Sequence, residues 1–238
     1  MDKETFLSTE KLYHYTSFQS ALKILASNKL LFGHQKNLND IYESYRPIFF
    51  EKDIDNPDEV LKELSRYKQI SLTHDKKENG YAISPMWGHY AEKGNGICLV
   101  FDKEKLLPES TKMNCGIVNY DNNYDNSIII KDANIQSFFE KNVNTLFFTK
   151  KKEWEYEQEF RIVSRTLKKL PLRDSLMAVI MCYADDVDHS DRIFKSLNYS
   201  IISKITNVPI LELGTFWGEI NLIDKNDSDW SKMNQLED

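Results

Sequence analysis

The chain has 238 residues and a net charge of −6, from 31 basic and 37 acidic side chains, and 41% of it is hydrophobic. That apolar content excludes a disordered chain, and only 8 glycines and 6 prolines exclude collagen-like and low-complexity classes. The acidic balance argues against a broad nucleic-acid footprint. The longest apolar run, Leu176 to Ala184, falls far short of the ~20 residues of a membrane span, and the polar start MDKETF shows no secretory signal, so a cytoplasmic protein away from membranes is expected.

In chain order, the first expected element is a strand, Lys11 to Thr16. A helix follows, capped by Ser17 and carrying Phe18, Ala21, Leu22 and Leu25 at helical spacing. Leu30 to Phe32 reads as a strand, and Asn37 to Glu43 as a polar turn. Asn56 and Pro57 open a second helix whose buried stripe is Val60, Leu61, Leu64 and Tyr67. Gln69 to Thr73 is a strand. Ser84-Pro85 starts another helix, which Gly94 and Gly96 end.

Ile97 to Phe101 reads as a central strand and Gly116 to Tyr120 as another. The longest helix is expected from about Ile135 to Lys150, on the 3.6 period of its apolar residues. Strands follow at Glu157 to Ser164, Leu176 to Cys182 and Val208 to Leu213, with a helix from Val187 to Tyr199. Cys98, Cys115 and Cys182 form no CxxC pair and are expected reduced in the core. The whole predicts one α+β domain over residues 1–223, with a mixed, largely antiparallel sheet flanked by helices, and a polar tail over 224–238.

No phosphate loop, HExxH, GxSxG or EF-hand motif is present, and the five histidines form no spaced metal cluster. Four clusters remain. In Tyr13-His14-Tyr15-Thr16, alternation across a strand turns His14 away from the two tyrosines, towards a cleft or simply a strand hydrogen bond. Asn37, Asn39, Asp40 and Glu43 suit a ligand mouth or a self-bonded turn. In Met86-Trp87-Gly88-His89-Tyr90, Trp87 and Tyr90 lie on one helix face. Gly88 there suggests a close approach. They form an aromatic wall or ordinary core.

The fourth cluster runs from Lys150 to Arg161, KKKEWEYEQEFR. If the strand begins at Glu157, then Glu157, Glu159 and Arg161 share a face, the carboxylates about 7 Å apart. Such a pair grips hydroxyls and stabilises a developing cation, or else forms a solvated strand edge.

The succession LYHYTS, LND with Glu43, MWGHYAEKGNGICLVFD and KKKEWEYEQEFRIV resembles the bacterial domain-of-unknown-function family 2971, over roughly residues 11 to 182. Two departures are Ile41, where the family often has proline, and Met181-Cys182, where a glycine is usual. Members are often linked to phage defence or abortive infection. More distantly, the His-Tyr-Thr strand, KILASNKLLFG and the late Glu-x-Glu strand are similar to the ADP-ribosyltransferase fold.

That similarity implies NAD as substrate, with catalytic roles for His14, Glu157 and Glu159. Tyr15, Thr16, Asn39, Asp40, Trp87, His89, Tyr90 and Arg161 would bind the nucleotide. Ser71, Thr73, Trp87 and Tyr90 compete for the central position of the fold's motif. The expected function is an NAD-dependent ADP-ribosyltransferase-like toxin or defence effector with a protein, nucleic-acid or water acceptor. Two alternatives stay open: a non-catalytic nucleotide-binding sensor, and a magnesium nuclease using Asp40, Glu43, Glu157 and Glu159.

Overall fold

A computed structural model describes residues 3–51, 58–108, 113–130, 134–182, 189–216 and 219–224. In chain order the elements are α1 (Lys3–Ser8), β1 (Lys11–Thr16), α2 (Phe18–Ser27), β2 (Lys29–Leu31), β3 (Gly33–His34), α3 (Ile41–Ser44) and β4 (Ile48–Phe50). Then come α4 (Asp58–Arg66), β5 (Lys68–His74), α5 (Ser84–Tyr90), β6 (Ile97–Asp102), α6 (Lys103–Leu106), β7 (Asn114–Ile117), β8 (Asn119–Asp121) and β9 (Ile128–Ile130). The last are α7 (Ile135–Lys141), α8 (Val143–Phe147), β10 (Thr149–Lys151), β11 (Glu159–Ser164), β12 (Lys169–Pro171), β13 (Leu176–Cys182), α9 (His189–Ile205), β14 (Ile210–Phe216) and β15 (Glu219–Asp224).

These elements form two compact units, each drawn from separate stretches of chain. The first holds residues 1–29, 73–110 and 171–238, and the second 30–72 and 111–170. In the first, β1 lies antiparallel between β6 and the end of β5, with Tyr13 opposite Val100 and Thr73. β13 pairs antiparallel with β6 and parallel with β14, and β15 closes that edge antiparallel. The parallel pair needs a crossover, which α9 supplies. Every residue of β6 is buried, as expected for a central strand.

The loop after β5 is tied down by the tyrosines of β1. The Tyr13 hydroxyl donates to Asp75 at 3.1 Å, and Asp75 also accepts from the Gly80 N–H at 2.8 Å. The Tyr15 hydroxyl donates to the Gly80 carbonyl at 2.6 Å. A Cβ on Gly80 would lie 2.4 Å from the Tyr13 ring, so only glycine fits there without displacing it. Gly96 is confined by backbone: its Cβ would meet the Thr16 carbonyl at 2.4 Å and Ala91 at 2.7 Å. The Ser17 hydroxyl caps α2 by accepting from the Ser20 N–H at 3.1 Å, as expected.

In the second unit β11 pairs antiparallel with β7, and β3 antiparallel with β5. Short parallel ladders join β10 to β8 and β4 to β9. Its core gathers Val60, Tyr67, Ile128, Ile130, Phe138, Phe139, Leu146, Phe147 and Val163. Tyr67 stacks on Phe147 and Phe139, with ring centroids 4.8 and 5.7 Å away.

Several expectations are corrected here. The helix expected from Ile135 to Lys150 is broken at Asn142, whose side chain turns back to the Phe138 carbonyl at 2.8 Å. Asparagine offers the backbone this competing bond. Residues 149–151 then become β10, and the longest helix among the described residues is α9, with 17 residues. Gly116 to Tyr120 is not one strand. At the buried Val118 the chain leaves β11, bonding the Glu159 carbonyl at 2.9 Å, and Asn119 then bonds the Phe148 carbonyl at 2.8 Å.

On α4, Leu61 is 57% exposed and Glu63 is buried instead. Two arginines, Arg66 at 2.6 Å and Arg165 at 2.5 Å, make that burial tolerable. Cys115 is exposed on β7, whereas Cys98 is buried and Cys182 half-buried. The turn expected at Asn37 to Glu43 contains most of α3, capped by Asp40, whose carboxylate accepts from the Tyr42 N–H at 2.9 Å. The strand β15 was not anticipated. The opening Asn56-Pro57, the start of the expected Val187 helix and residues 225–238 lie outside the described residues.

Candidate functional site

The charged segment of the second unit does not form a flat strand edge. Residues Lys152–Glu157 wind into a 3-10 helix that ends at Gln158 with φ +44°. Glu157 is therefore outside β11, and the expected two-residue alternation of Glu157, Glu159 and Arg161 fails at its first member. All six residues of β11 are buried, so the solvated-edge alternative is also set aside.

Arg161 is 0% exposed and is the hub. Its guanidinium grips Glu159 through two bonds of 2.7 and 2.6 Å, and Glu43 through two of 2.6 and 3.1 Å. It also donates to the Phe147 carbonyl at 2.6 Å. Lys150 donates to Glu157 at 2.6 Å and stands 3.8 Å from Glu43 and 3.7 Å from Glu159. Arg46 lies 3.7 Å from Glu43 and donates to the Leu146 carbonyl. Three carboxylates thus face three cations, all of them buried.

The balance decides the protonation states. Burial alone would raise the Glu159 pKa, but Arg161, Lys150 and a Ser71 hydrogen bond overcome it and hold the carboxyl well below its usual range. Burial would likewise neutralise Lys150, and Glu159, Glu157 and Glu43 reverse this, raising its pKa. Arg161 is raised by Glu159 and Glu43 against the same desolvation. Such a network is strongly coupled: taking out one partner leaves charge buried and uncompensated.

Asp40 is the exception. It is 2% exposed, and burial together with Glu43 raises its pKa, despite the Tyr42 N–H and the nearby Lys150. Its Oδ2 has no hydrogen-bond partner, nor have Nη2 of Arg46 and Nε1 of Trp154. Arg46 adjoins Glu43, Trp154 adjoins Lys150, and Asp40 feels the charge of both Glu43 and Lys150. The Lys150 ammonium lies 4.5 Å from the centre of the Trp154 ring, and Tyr156 leans on that ring at 6.0 Å. Outside them, Lys151 covers the exposed Tyr42 ring at 3.5 Å. The arrangement offers an acceptor and a donor without hydrogen-bond partners, on Asp40 and Trp154, beside half-buried aromatic rings, the ingredients of a small-ligand site. Tyr124, its pKa raised chiefly by burial, feels Arg46, Glu43, Arg161 and Asp40 as well.

Of the residues singled out in the sequence, the second unit brings together Asp40, Glu157, Glu159 and Arg161, while Asn39 is exposed beside them. The others belong to the first unit. His14 and Thr16 are half-buried on β1, and Tyr15 is buried and bonded to Gly80. Trp87 is buried, donates to the Tyr81 carbonyl at 2.8 Å and packs edge-on against Tyr15 at 5.2 Å, so it is core and not an open aromatic wall. His89 is exposed and Tyr90 half-buried. Gly88 has open space where its Cβ would be, so the close approach expected there does not occur.

Glu43, and Lys150 and Trp154 of the fourth cluster, are outside the expected nucleotide site, and Arg46 carries no signal in the sequence. Glu43 had a signal, its place three residues after the helix-capping Asp40. Among the described residues no group of three or more His, Cys, Asp or Glu side chains could hold a metal ion, which weighs against the nuclease alternative. No described helix is long and apolar enough to cross a membrane.

No curated protein and no solved structure matches the chain. A family model covers residues 86–162, which leaves out the Tyr13–Thr16 and Asn39–Glu43 motifs and takes in most of α5, β6, Lys150 and most of β11. Over residues 86–162 the chain matches the family described as protein of unknown function (DUF2971), which supports the resemblance to that family across this span.

Proposed function

We propose that this chain is a non-catalytic nucleotide-binding sensor or interaction module of a bacterial defence system, with its ligand held in the second unit around Asp40, Trp154 and Tyr42. The defence role comes from the resemblance to family 2971, and the nucleotide from the more distant similarity to the ADP-ribosyltransferase fold. What favours binding over turnover is one observation: Glu157 and Glu159 are each matched to a buried cation. A carboxylate that stabilises an oxocarbenium-like state must face the sugar. These two face an ammonium and a guanidinium.

The test is a thermal-shift series on the full chain with NAD, ADP-ribose and ADP, run beside a chromatographic assay for nicotinamide release. Stabilisation by a nucleotide without release of nicotinamide is expected. No shift with any of the three overturns the proposal.

The second reading, an NAD-dependent ADP-ribosyltransferase or NAD glycohydrolase, is favoured by the strongly ionised state of Glu159. A carboxylate that opposes a developing cation has to be charged. On that reading nicotinamide is released, and Glu159→Gln abolishes the release while far-UV circular dichroism shows the fold retained.

A further inference from the structure

We infer that Asp40 reads an exocyclic amino group on the base of the nucleotide, with the Trp154 indole N–H donating to an acceptor on the same base. The inference rests on the nucleotide-binding reading above and adds which base is taken. Its ground is a set of unanswered polar atoms. One carboxylate oxygen of Asp40 caps α3 through the Tyr42 N–H, and the other has no donor although the residue is 2% exposed. Buried polar atoms are nearly always satisfied, and an exception calls for an explanation.

The charged groups that act on Asp40 do not supply the donor. Glu43 and Glu153 are acidic, Lys150 donates to Glu157 at 2.6 Å, and Lys151 is engaged with Tyr42. The missing donor is therefore sought in a ligand. The Trp154 N–H also lacks an acceptor, and its ring lies 4.5 Å from the Lys150 ammonium, which itself acts on Asp40.

An adenine edge complements this set, because its amino group is a donor flanked by ring nitrogens that accept. Hypoxanthine presents a carbonyl oxygen in place of the amino group and sets an acceptor against a carboxylate. On α3 the outward side chains Ile41 and Tyr42 are exposed, while Glu43 anchors its inner face to Arg161, so a base would reach Asp40 from the Tyr42 side.

Titration calorimetry of the full chain with two matched pairs tests this: NAD against nicotinamide hypoxanthine dinucleotide, and ADP against inosine diphosphate. The adenine member of each pair is expected to bind about tenfold more tightly or better, the range for a lost hydrogen bond to a charged group. Asp40→Asn keeps the helix cap, since the amide oxygen still accepts from Tyr42, but it turns an N–H₂ towards the base. In this variant the preference shifts towards hypoxanthine.

Trp154→Phe keeps a ring and weakens the adenine nucleotides several-fold. Equal affinity within both pairs overturns the inference and leaves nucleotide binding standing. An unchanged adenine preference in Asp40→Asn overturns it too. Failure of all four nucleotides to bind overturns both the inference and the proposed function.

Discussion

Arg161 satisfies two carboxylates and a carbonyl from within a strand that is buried throughout. Replacing it by methionine preserves much of its volume but leaves Glu43 and Glu159 without their main counter-charge. A loss of about 3–5 kcal/mol is expected in urea denaturation, the usual cost of breaking a buried pair from one side. The pH dependence follows from Glu159. Its folded pKa is depressed, so its stabilisation is complete above the unfolded value of about 4.3. It is lost as pH falls towards the folded value of about 2.

Melting temperature is therefore expected to drop as pH is lowered from about 5, and Glu159→Gln to flatten that part of the profile. Asp40 runs the other way, because its pKa is raised and its ionisation weakens the folded state. At pH 7 Asp40→Asn should melt no lower than the parent. The Glu-x-Glu-x-Arg pattern was visible in the sequence because it is local. Its partners were not: Glu43 and Arg161 are 118 positions apart, and residue periodicity carries no information about which distant cation answers a carboxylate.

At the scale of elements, local signals did well where one interaction dominates. Ser17 announced α2, and unbroken apolar runs announced β6 and β13. They failed where tertiary partners redirect the backbone. The apolar period from Ile135 survives through Leu146 and Phe147, yet the Asn142 side chain interrupts the helix while leaving the buried face in register. On α4 the stripe was misplaced because Glu63 is drawn inward by two arginines, one of them 102 positions away.

Two glycines that look alike in the sequence behave oppositely. Gly96→Ala drives a methyl into the Thr16 carbonyl and the Ala91 backbone, and should cost about 1–3 kcal/mol or more by thermal denaturation. Gly88→Ala meets nothing, so its better helix propensity should add about 0.5–1 kcal/mol in the same measurement.

For the whole molecule, the mixed α+β class was legible from the alternation of short apolar runs and helical stripes. The division into two units was not, because the chain passes between them at residues 29/30, 72/73, 110/111 and 170/171 without any linker composition. Compositional boundaries mark units that follow one another along a chain, not units that share it. Neither unit is a continuous fragment. Residues 111–170 expressed alone contain Arg161, Lys150, Glu157 and Glu159 but lack Glu43 and the strand residues 68–72. That fragment is expected to show no cooperative melting transition by circular dichroism.

The Glu43–Arg161 pair also sets a schedule for synthesis. At about 5–20 residues per second the ribosome needs roughly 6–24 s to deliver the arginine after the glutamate. Throughout that interval the nascent α3 segment waits with its acidic side chains still hydrated. Only when β11 leaves the exit tunnel can this corner of the second unit lock, more than two thirds of the way along the chain.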